Sequence, residues 1–298
     1  MKSKRITEKI IEAILFASAG MAVLAVCSIT VYMVIKGTPA FAEVGAREIL
    51  LNSKWAPTAS DSSYGIAYII LSSAVSTVIS VLVATVIGIL TSVFLSEIAG
   101  KRLGGLVKGA VELLAGIPSV IYGLIGMMVL NPLIFRLEKL LFANSTTHKF
   151  TGGANMLCAI IVLSVMVLPT VISVSTSSLN AASNDLRFAS YALGATKIQT
   201  IFKVVVPASR SGIITGVVLG IGRALGEAMA INMVAGGAVN LPLPFNSIRT
   251  LTTQIVSEMS YSQGTHRDVL FSVGLVLYVF IMGINLILLW FRKKENKK

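Results

Sequence analysis

Residues 65–96 read GIAYIILSSAVSTVISVLVATVIGILTSVFLS, a run of 32 residues without one charged side chain. A helix crosses the hydrocarbon region of a bilayer with about 20 mostly apolar residues. A helix at the surface of a soluble domain would instead need a polar face toward water. The stretch therefore predicts a transmembrane helix, and it sets the fold class expected for the whole chain.

The composition of the 298-residue chain agrees with a membrane protein. Hydrophobic residues make up 55% of it and charged residues only 13%, and the mean hydropathy is +0.84. A water-soluble globule carries a larger charged fraction on its surface. The net charge of +12 does not indicate nucleic-acid binding, because the cations cluster at the ends of apolar runs and form no basic helix. The expected surroundings are membrane lipid, with no nucleic acid.

Apolar runs long enough to cross a bilayer occur at six places. The predicted spans cover residues 10–35, 65–96, 106–131, 154–179, 212–238 and 269–291. No intervening segment is long enough to be predicted as a separate domain, so residues 1–298 are expected to form one transmembrane domain. The predicted fold class is all-α, a polytopic membrane bundle of six transmembrane helices.

The Lys and Arg residues orient this bundle, since short cytoplasmic loops carry an excess of positive side chains. Sixteen of the 25 basic residues lie on the two tails, the 97–108 turn and the 180–211 loop, against eight on the other three loops. Both termini are therefore predicted to be cytoplasmic, in a multi-pass protein of the plasma or inner membrane. The first span is expected to be a retained helix, because its apolar run is too long for a signal peptide.

The Cys and His residues of the chain do not predict a metal site or a catalytic site. Cys27 and Cys158 lie inside apolar runs and are assigned no chemistry. His148 and His266 lie singly in predicted outer loops, without a Cys, Asp or Glu at metal-ligand spacing. They are predicted to be solvated surface histidines. The sequence predicts no metal site, no cofactor and no catalytic residue.

The fifth predicted span is unusual because GRALGEAMAINMVAGG, at 222–237, contains Arg223 and Glu227. On a continuous helix the two lie one turn apart on one face, where each partly neutralises the other. Charges at membrane depth are costly and often line a conduction route, and an arginine can donate two parallel hydrogen bonds to an oxyanion. Arg223 and Glu227 are therefore predicted to line a substrate path. The alternative is an ion pair that only holds helices together.

Other features of the spans concern packing. Small residues recur at every fourth position of the fifth span, at Gly212, Gly216, Gly220, Ala224 and Ala228. They predict a flat ridge on which another helix packs closely. Pro118 and Pro169 are expected to kink the third and fourth spans. Glu112 is predicted to pair with Lys108 at the cytoplasmic interface.

The 180–211 loop contains a spaced motif: ASYALG (189–194), nine residues, and then VVVP (204–207). It resembles the coupling loop of ABC importer permeases, E-A-A-x-x-x-G, nine residues, I-x-L-P, which in that family inserts into a groove on the ATPase subunit. The resemblance assigns an ATPase-coupling role to Ala189, Ser190, Gly194, Val204, Val206 and Pro207.

Two details of this loop carry further expectations. Phe188 takes the place of the usual glutamate, so Asp185 or Arg187 is expected to supply the missing charge contact. Gly194 is expected to separate two short helices and to need a backbone conformation that a side chain would strain.

Two further segments narrow the resemblance. LAGIPSVIYGLIG at 114–126 and the 222–237 stretch are similar to the permeases of phosphate-specific ABC importers (Pst), in particular the PstC type, and the similarity runs from residue 10 to 291. It implies a type I importer permease fold. It also implies a heterodimer with a PstA-like permease, two copies of a cytoplasmic PstB-like ATPase, and an external PstS-like phosphate-binding protein. The chain itself lacks a P-loop to hold ATP, so the energy for transport must come from another chain or from a gradient.

The function implied is the permease of an ATP-driven importer for inorganic phosphate, which forms the translocation path and is not itself an enzyme. One alternative is a permease for sulfate or molybdate, because the coupling loop is common to many importers. Another is an intramembrane enzyme using Glu227 or Glu112 as acid or base. It lacks a second catalytic group at a suggestive spacing.

Overall fold

The computed structural model describes the backbone of residues 2–295 and the side chains of residues 9–286. The helices, in chain order, are α1 (Lys2–Gly37), α2 (Ala46–Leu51), α3 (Ala67–Val93), α4 (Lys101–Gly116), α5 (Ser119–Ile125), α6 (Asn131–Leu141), α7 (Met156–Asn180), α8 (Asn184–Ala192), α9 (Lys197–Thr200), α10 (Val206–Ala208), α11 (Arg210–Gly226), α12 (Met229–Val234), α13 (Leu251–Glu258) and α14 (Gly264–Glu295). Short π-helical turns adjoin several of them, at 41–45, 94–98, 126–130 and 201–205. A small antiparallel ribbon pairs β1 (Trp55–Ala56) with β2 (Ser63–Tyr64).

The predicted all-α membrane bundle is confirmed. Five helical segments of the described chain are long and apolar enough to cross a bilayer: Lys9–Leu51, Ala67–Ile98, Ser119–Leu141, Met156–Asn180 and Gly264–Leu286. A sixth candidate is the bent pair Lys197–Ala208 and Arg210–Gly226, which meet at 68°. The described residues thus provide five spans, or six if the bent pair counts as one.

The third span lies further along the chain than the sequence predicts. The predicted bounds are 106–131, but α4 ends at Gly116 and the helix long enough to span runs from 119 to 141. Pro118 causes the break, because it has no N–H to donate and disfavours a helical conformation at Ile117. Ile117 is indeed extended, with φ −71° and ψ 126°. By contrast, α7 continues through Pro169.

The fifth span is also shorter as a helix than its predicted bounds of 212–238. Regular helix stops at Gly226, Glu227 is extended (φ −74°, ψ 126°), and α12 begins at Met229. The apolar composition continues through this point, so it gives no indication of the break. The membrane segment is therefore discontinuous beside Arg223.

The centre of the bundle is α7, which packs against α3 and α11. Serine hydroxyls join α3 to α7: Ser80 Oγ donates to the Ile160 carbonyl at 3.1 Å, and Ser92 Oγ donates to the Ile172 carbonyl at 3.1 Å. In a bilayer, helices associate through close van der Waals contact and interhelical hydrogen bonds rather than through hydrophobic burial. This seam therefore fixes the register of α3 on α7.

The small residues of α11 bring its backbone against α7, as predicted. A Cβ atom on Gly212 would lie 2.1 Å from a side-chain atom of α7, and one on Gly220 would lie 2.9 Å from a methyl group of Val167. Neither position has room for a side chain. The ridge continues to the buried Ala224, whereas Ala228 lies beyond the helix end and is not part of it.

Candidate functional site

Arg223 and Glu227 are separated by a helix break. Because α11 ends at Gly226, the two side chains do not share one helical face. No ion pair joins them among the side chains that the structure describes. The predicted mutual neutralisation is therefore wrong, and the physical reason is that the Glu227 carboxylate has another partner.

Glu227 forms the start of α12. Its Oε1 accepts a hydrogen bond from the backbone N–H of Ala230 at 2.9 Å, and its carbonyl oxygen accepts one from Thr252 Oγ1 at 2.7 Å. A carboxylate at a helix N-terminus satisfies a free N–H group and complements the positive end of the helix dipole. Thr252 lies in the first turn of α13, so Glu227 also fastens the break to that helix.

Arg223 lies in the last turn of α11 and is half-buried. Within the described part of the chain its guanidinium forms no salt bridge or hydrogen bond, although it is close enough to Tyr122 to interact with it electrostatically. The negative end of the α11 dipole favours a cation here. The planar fork of the guanidinium, with its five N–H donors, remains available to an oxyanion.

A second helix break lies beside the first. Pro118 cannot donate to the Leu114 carbonyl four residues earlier, and the hydroxyl of Tyr122 donates to this carbonyl at 2.7 Å instead. The next residue, Gly123, lies so close to α12 that a Cβ atom there would be 2.9 Å from the Cα of Ala230. The helices that follow the two breaks, α5 and α12, therefore pack directly against each other. Tyr122 was not among the residues predicted from the sequence, where its only signal is its position four residues after Pro118.

The 180–211 loop folds into short helices around Gly194. Gly194 lies between α8 and α9 with a φ of +83°, a left-handed conformation, which confirms the predicted constraint on its backbone. The hydroxyl groups of Ser190 in α8 and Thr200 in α9 lie 2.9 Å apart and both residues are buried. The two helices are thus held together by one glycine turn and one internal hydrogen bond.

Large apolar side chains are exposed on the outer surface of this loop. Leu193 is 89% exposed, Ile198 69% and Phe188 66%. A cluster of large apolar side chains with this exposure indicates a surface that another protein covers. Phe188 takes the position of the usual glutamate, so this position contributes apolar surface instead of a negative charge.

The six residues assigned to coupling by resemblance lie in different environments within the loop. Ala189, Gly194 and Pro207 are exposed, Val204 and Val206 are half-buried, and Ser190 is buried. A hollow of about 350 Å³ brings Ser190, Gly194 and Val204 together. Pro207 lies in the first turn of α10, where a missing N–H costs nothing.

Arg187 anchors the loop internally and does not supply the expected external charge contact. Its Nη2 lies 2.6 Å from Glu97 Oε1 and donates to the Leu179 carbonyl at 3.1 Å, while Nη1 donates to the Ala182 carbonyl at 2.6 Å. The prediction for Arg187 is therefore wrong, because its donors are committed to the end of α7. Asp185 is exposed in the first turn of α8.

Both histidines contact buried carboxylates, so the prediction of solvated surface histidines is wrong. His148 Nε2 lies 2.8 Å from Oε1 of the fully buried Glu138, and the His148 ring stacks on Phe142 with 3.8 Å between centroids. His266 Nε2 lies 2.8 Å from Glu258 Oε2. No group of three or more His, Cys, Asp or Glu side chains in the described range could hold a metal ion.

Glu258 is the centre of a network that joins the loops around β1 and α13. Its carboxylate accepts hydrogen bonds from Trp55 Nε1 at 3.1 Å and from Arg249 Nη1 at 2.5 Å, besides the contact with His266. Arg249 Nε donates to the Gly237 carbonyl at 2.7 Å. Each charge in this network therefore has a partner inside the chain, and the network holds the loops in place.

The predicted contact between Lys108 and Glu112 is confirmed. Lys108 Nζ lies 3.8 Å from Glu112 Oε1, and the two side chains are 72% and 65% exposed. An ion pair with this exposure contributes little stability.

Comparison with known proteins gives the family. A model described as "Binding-protein-dependent transport system inner membrane component" matches residues 84–296. The chain is 40% identical over 271 residues to the probable ABC transporter permease protein YqgH of Bacillus subtilis, covering 89% of this chain and 84% of that protein. It is 31% identical over 297 residues to the phosphate transport system permease protein PstC of Xylella fastidiosa, covering 95% of this chain and 91% of that protein.

Solved structures support the fold alone, because their sequence identities are low. A chain of a bacterial alginate ABC transporter has a TM-score of 0.64 at 17% identity, with 92% of each chain covered. A chain of the MetNI methionine ABC transporter has a TM-score of 0.54 at 19% identity, covering 77% of this chain and 97% of its own. The fold predicted from the resemblance to type I importer permeases is thereby confirmed.

Members of this family are permease subunits of ABC importers and are not enzymes themselves. The apolar helices and the family agree on a multi-pass protein of the inner membrane. The chain belongs to the inner-membrane permease family of binding-protein-dependent ABC importers.

Proposed function

We propose that this permease carries inorganic phosphate. The observation that supports the proposal is Arg223, whose guanidinium is half-buried beside two helix breaks and has no carboxylate partner among the described side chains. A planar guanidinium binds tetrahedral oxyanions through two parallel hydrogen bonds. The likeness to PstC proteins, named for phosphate transport, supports the same substrate class.

Arg223 and Glu227 have different roles in this proposal. Arg223 contacts the passing anion, while Glu227 shapes the route by capping α12 and holding Thr252. Broken helices at membrane depth are tolerated where their free backbone groups face protein or a wet cavity, and such breaks often form substrate sites in transporters. The route is therefore proposed to run past the break between α11 and α12.

The loop from α8 to α10 is proposed to couple this route to ATP hydrolysis. Its exposed apolar residues Phe188, Leu193 and Ile198 would insert into a groove of a PstB-like ATPase, present in two copies. A PstA-like permease completes the membrane part, and an external PstS-like protein delivers phosphate. In this arrangement both termini lie in the cytoplasm.

Substrate competition tests the proposed function. In cells that lack their own phosphate importers and express the complete complex, we expect uptake of radiolabelled phosphate that excess sulfate or molybdate leaves unchanged. The outcome depends on which anion the guanidinium and its surroundings bind. ATP-depleted cells, in which uptake should stop, provide the control. Uptake of labelled sulfate or molybdate in place of phosphate would contradict the proposal.

Cysteine labelling tests the proposed orientation. After Cys27 and Cys158 are replaced, single cysteines at Ser60 and Asn144 should react with an impermeant thiol reagent from outside intact cells, whereas one at Lys197 should not. All three positions are exposed in the structure, so a lack of labelling reports sidedness rather than burial. Labelling of position 197 from outside would contradict the proposed orientation.

A further inference from the structure

The break between α4 and α5 leaves one carbonyl that needs a partner. In a continuous helix the Leu114 carbonyl would accept from the N–H at position 118, but proline has none. The carbonyl instead accepts from the Tyr122 hydroxyl at 2.7 Å, with a longer contact from the Ile117 N–H at 3.3 Å. Tyr122 is 7% exposed, so little water can take over this role. The hydroxyl thus satisfies the carbonyl that the bend at Pro118 leaves without its helical partner.

The bend at Pro118 is transmitted to the second break through direct contacts. Gly123, next to Tyr122, packs on Ala230, where an added Cβ would lie 2.9 Å from Cα and 3.3 Å from the carbonyl oxygen. The N–H of Ala230 in turn donates to Glu227 Oε1 at 2.9 Å. A change in the position of α5 must therefore move α12, and with it the end of the helix that carries Arg223.

We infer that Tyr122 is a positioning residue of the transport route. Its hydroxyl donates to the Leu114 carbonyl and so fixes the position of α5 against α12, and this packing sets the orientation of Arg223 at the end of α11. The inference rests on the proposed function of Arg223 but concerns a residue that contacts no substrate. It explains why a tyrosine with a buried hydroxyl follows Pro118 by four residues and why a glycine follows the tyrosine.

A double-mutant comparison isolates this hydrogen bond. Tyr122→Phe removes only the hydroxyl, and we expect phosphate uptake per assembled complex to fall about tenfold, as for the loss of a buried hydrogen bond. Pro118→Ala restores an N–H that can serve the same carbonyl. In the Pro118→Ala background, adding Tyr122→Phe should therefore change uptake by less than about twofold. The matched control is Tyr68→Phe, since Tyr68 forms no hydrogen bond within the described residues.

The readout separates positioning from a purely structural role. If Tyr122 only stabilised the fold, Tyr122→Phe would lower the amount of complex in the membrane but leave uptake per complex normal. That result would overturn the inference, as would an equal loss in both backgrounds. Uptake is normalised to the amount of ATPase that copurifies with the permease.

A second measurement works even if Pro118→Ala abolishes transport or phosphate is not the substrate. Gly226, at the end of α11, and Gly222, one turn earlier, are both exposed and have room for a side chain. Cys27 and Cys158 are first replaced, and the rate at which N-ethylmaleimide labels Gly226→Cys is measured. Tyr122→Phe should change this rate severalfold. In the Pro118→Ala background, adding Tyr122→Phe should leave the rate unchanged. The rate at Gly222→Cys should stay constant. An unchanged rate at position 226 would overturn the inference, whereas failure of phosphate uptake in the unmodified complex would overturn only the proposed function.

Discussion

Replacement of Arg223 by lysine is expected to lower phosphate uptake about tenfold to a hundredfold while the complex still assembles. Lysine keeps the positive charge but replaces the planar fork with a single ammonium group, which cannot donate two parallel hydrogen bonds to one oxyanion. No internal ion pair of Arg223 is lost, because none exists among the described side chains. The measurement is the initial rate of uptake, normalised to the ATPase that copurifies with the permease.

The same change at an exposed site provides the control for this result. Arg136→Lys, on the surface of α6, should leave uptake at the unmodified level. Glu227→Gln should also be tolerated, since an amide oxygen can still accept from the Ala230 N–H, whereas Glu227→Ala removes the cap. Arg223→Gln combined with Glu227→Gln should transport no better than Arg223→Gln alone, because no charge pair is being relieved. Normal uptake by Arg223→Lys would contradict the role of Arg223 as the anion contact.

Gly194→Val is expected to reduce ATP-driven uptake about tenfold and to weaken association with the ATPase, while the permease remains in the membrane. A left-handed conformation costs a residue with a side chain about 1–2 kcal/mol, and a β-branched side chain suffers most. Space is not the reason, because a Cβ atom at Gly194 would meet no atom within 4 Å. The measurement is the amount of ATPase that copurifies, together with uptake.

Asparagine is the matched variant for this position. It tolerates the left-handed region better than other residues with side chains, so Gly194→Asn should keep most of the association and uptake. A fall in both variants to the same extent would indicate that any side chain at this point blocks the partner. Normal coupling of Gly194→Val would show that the loop does not depend on this turn.

The spans and the glycine turn of the 180–211 loop could be predicted because their signals are local. Residues 65–96 are long and apolar, and the spacing from Gly194 to Pro207 lies within one loop. The break at Glu227 could not be predicted in this way. It depends on a hydrogen bond to Thr252, 25 residues further along the chain, and on the packing of α5. Without those contacts, the 222–237 stretch looks like part of one continuous apolar helix.

The histidines show the same dependence on distant contacts. His148 and His266 meet Glu138 and Glu258 at separations of ten and eight residues, which match neither a helical turn nor a metal-binding motif. In each case the carboxylate lies at or near the end of a helix, and the chain that follows folds back onto it, as a loop at His148 and as the first turn of α14 at His266. Burial of these pairs follows from loop closure, which the composition of the loops does not reveal. The proposed substrate path has a similar limit, because the charge of Arg223 is visible in the sequence whereas Tyr122 stands out only once the bend at Pro118 is known.

The contacts of Arg187 have a mechanical consequence. Its guanidinium ties α8 to Glu97, just beyond α3, and to the last carbonyls of α7. In the proposed coupling, a force applied to Leu193 by the ATPase would therefore reach α3 and α7 through these contacts of Arg187. The hydrogen bond between Ser190 and Thr200 holds α9 against α8, so the same displacement would carry both helices of the loop together.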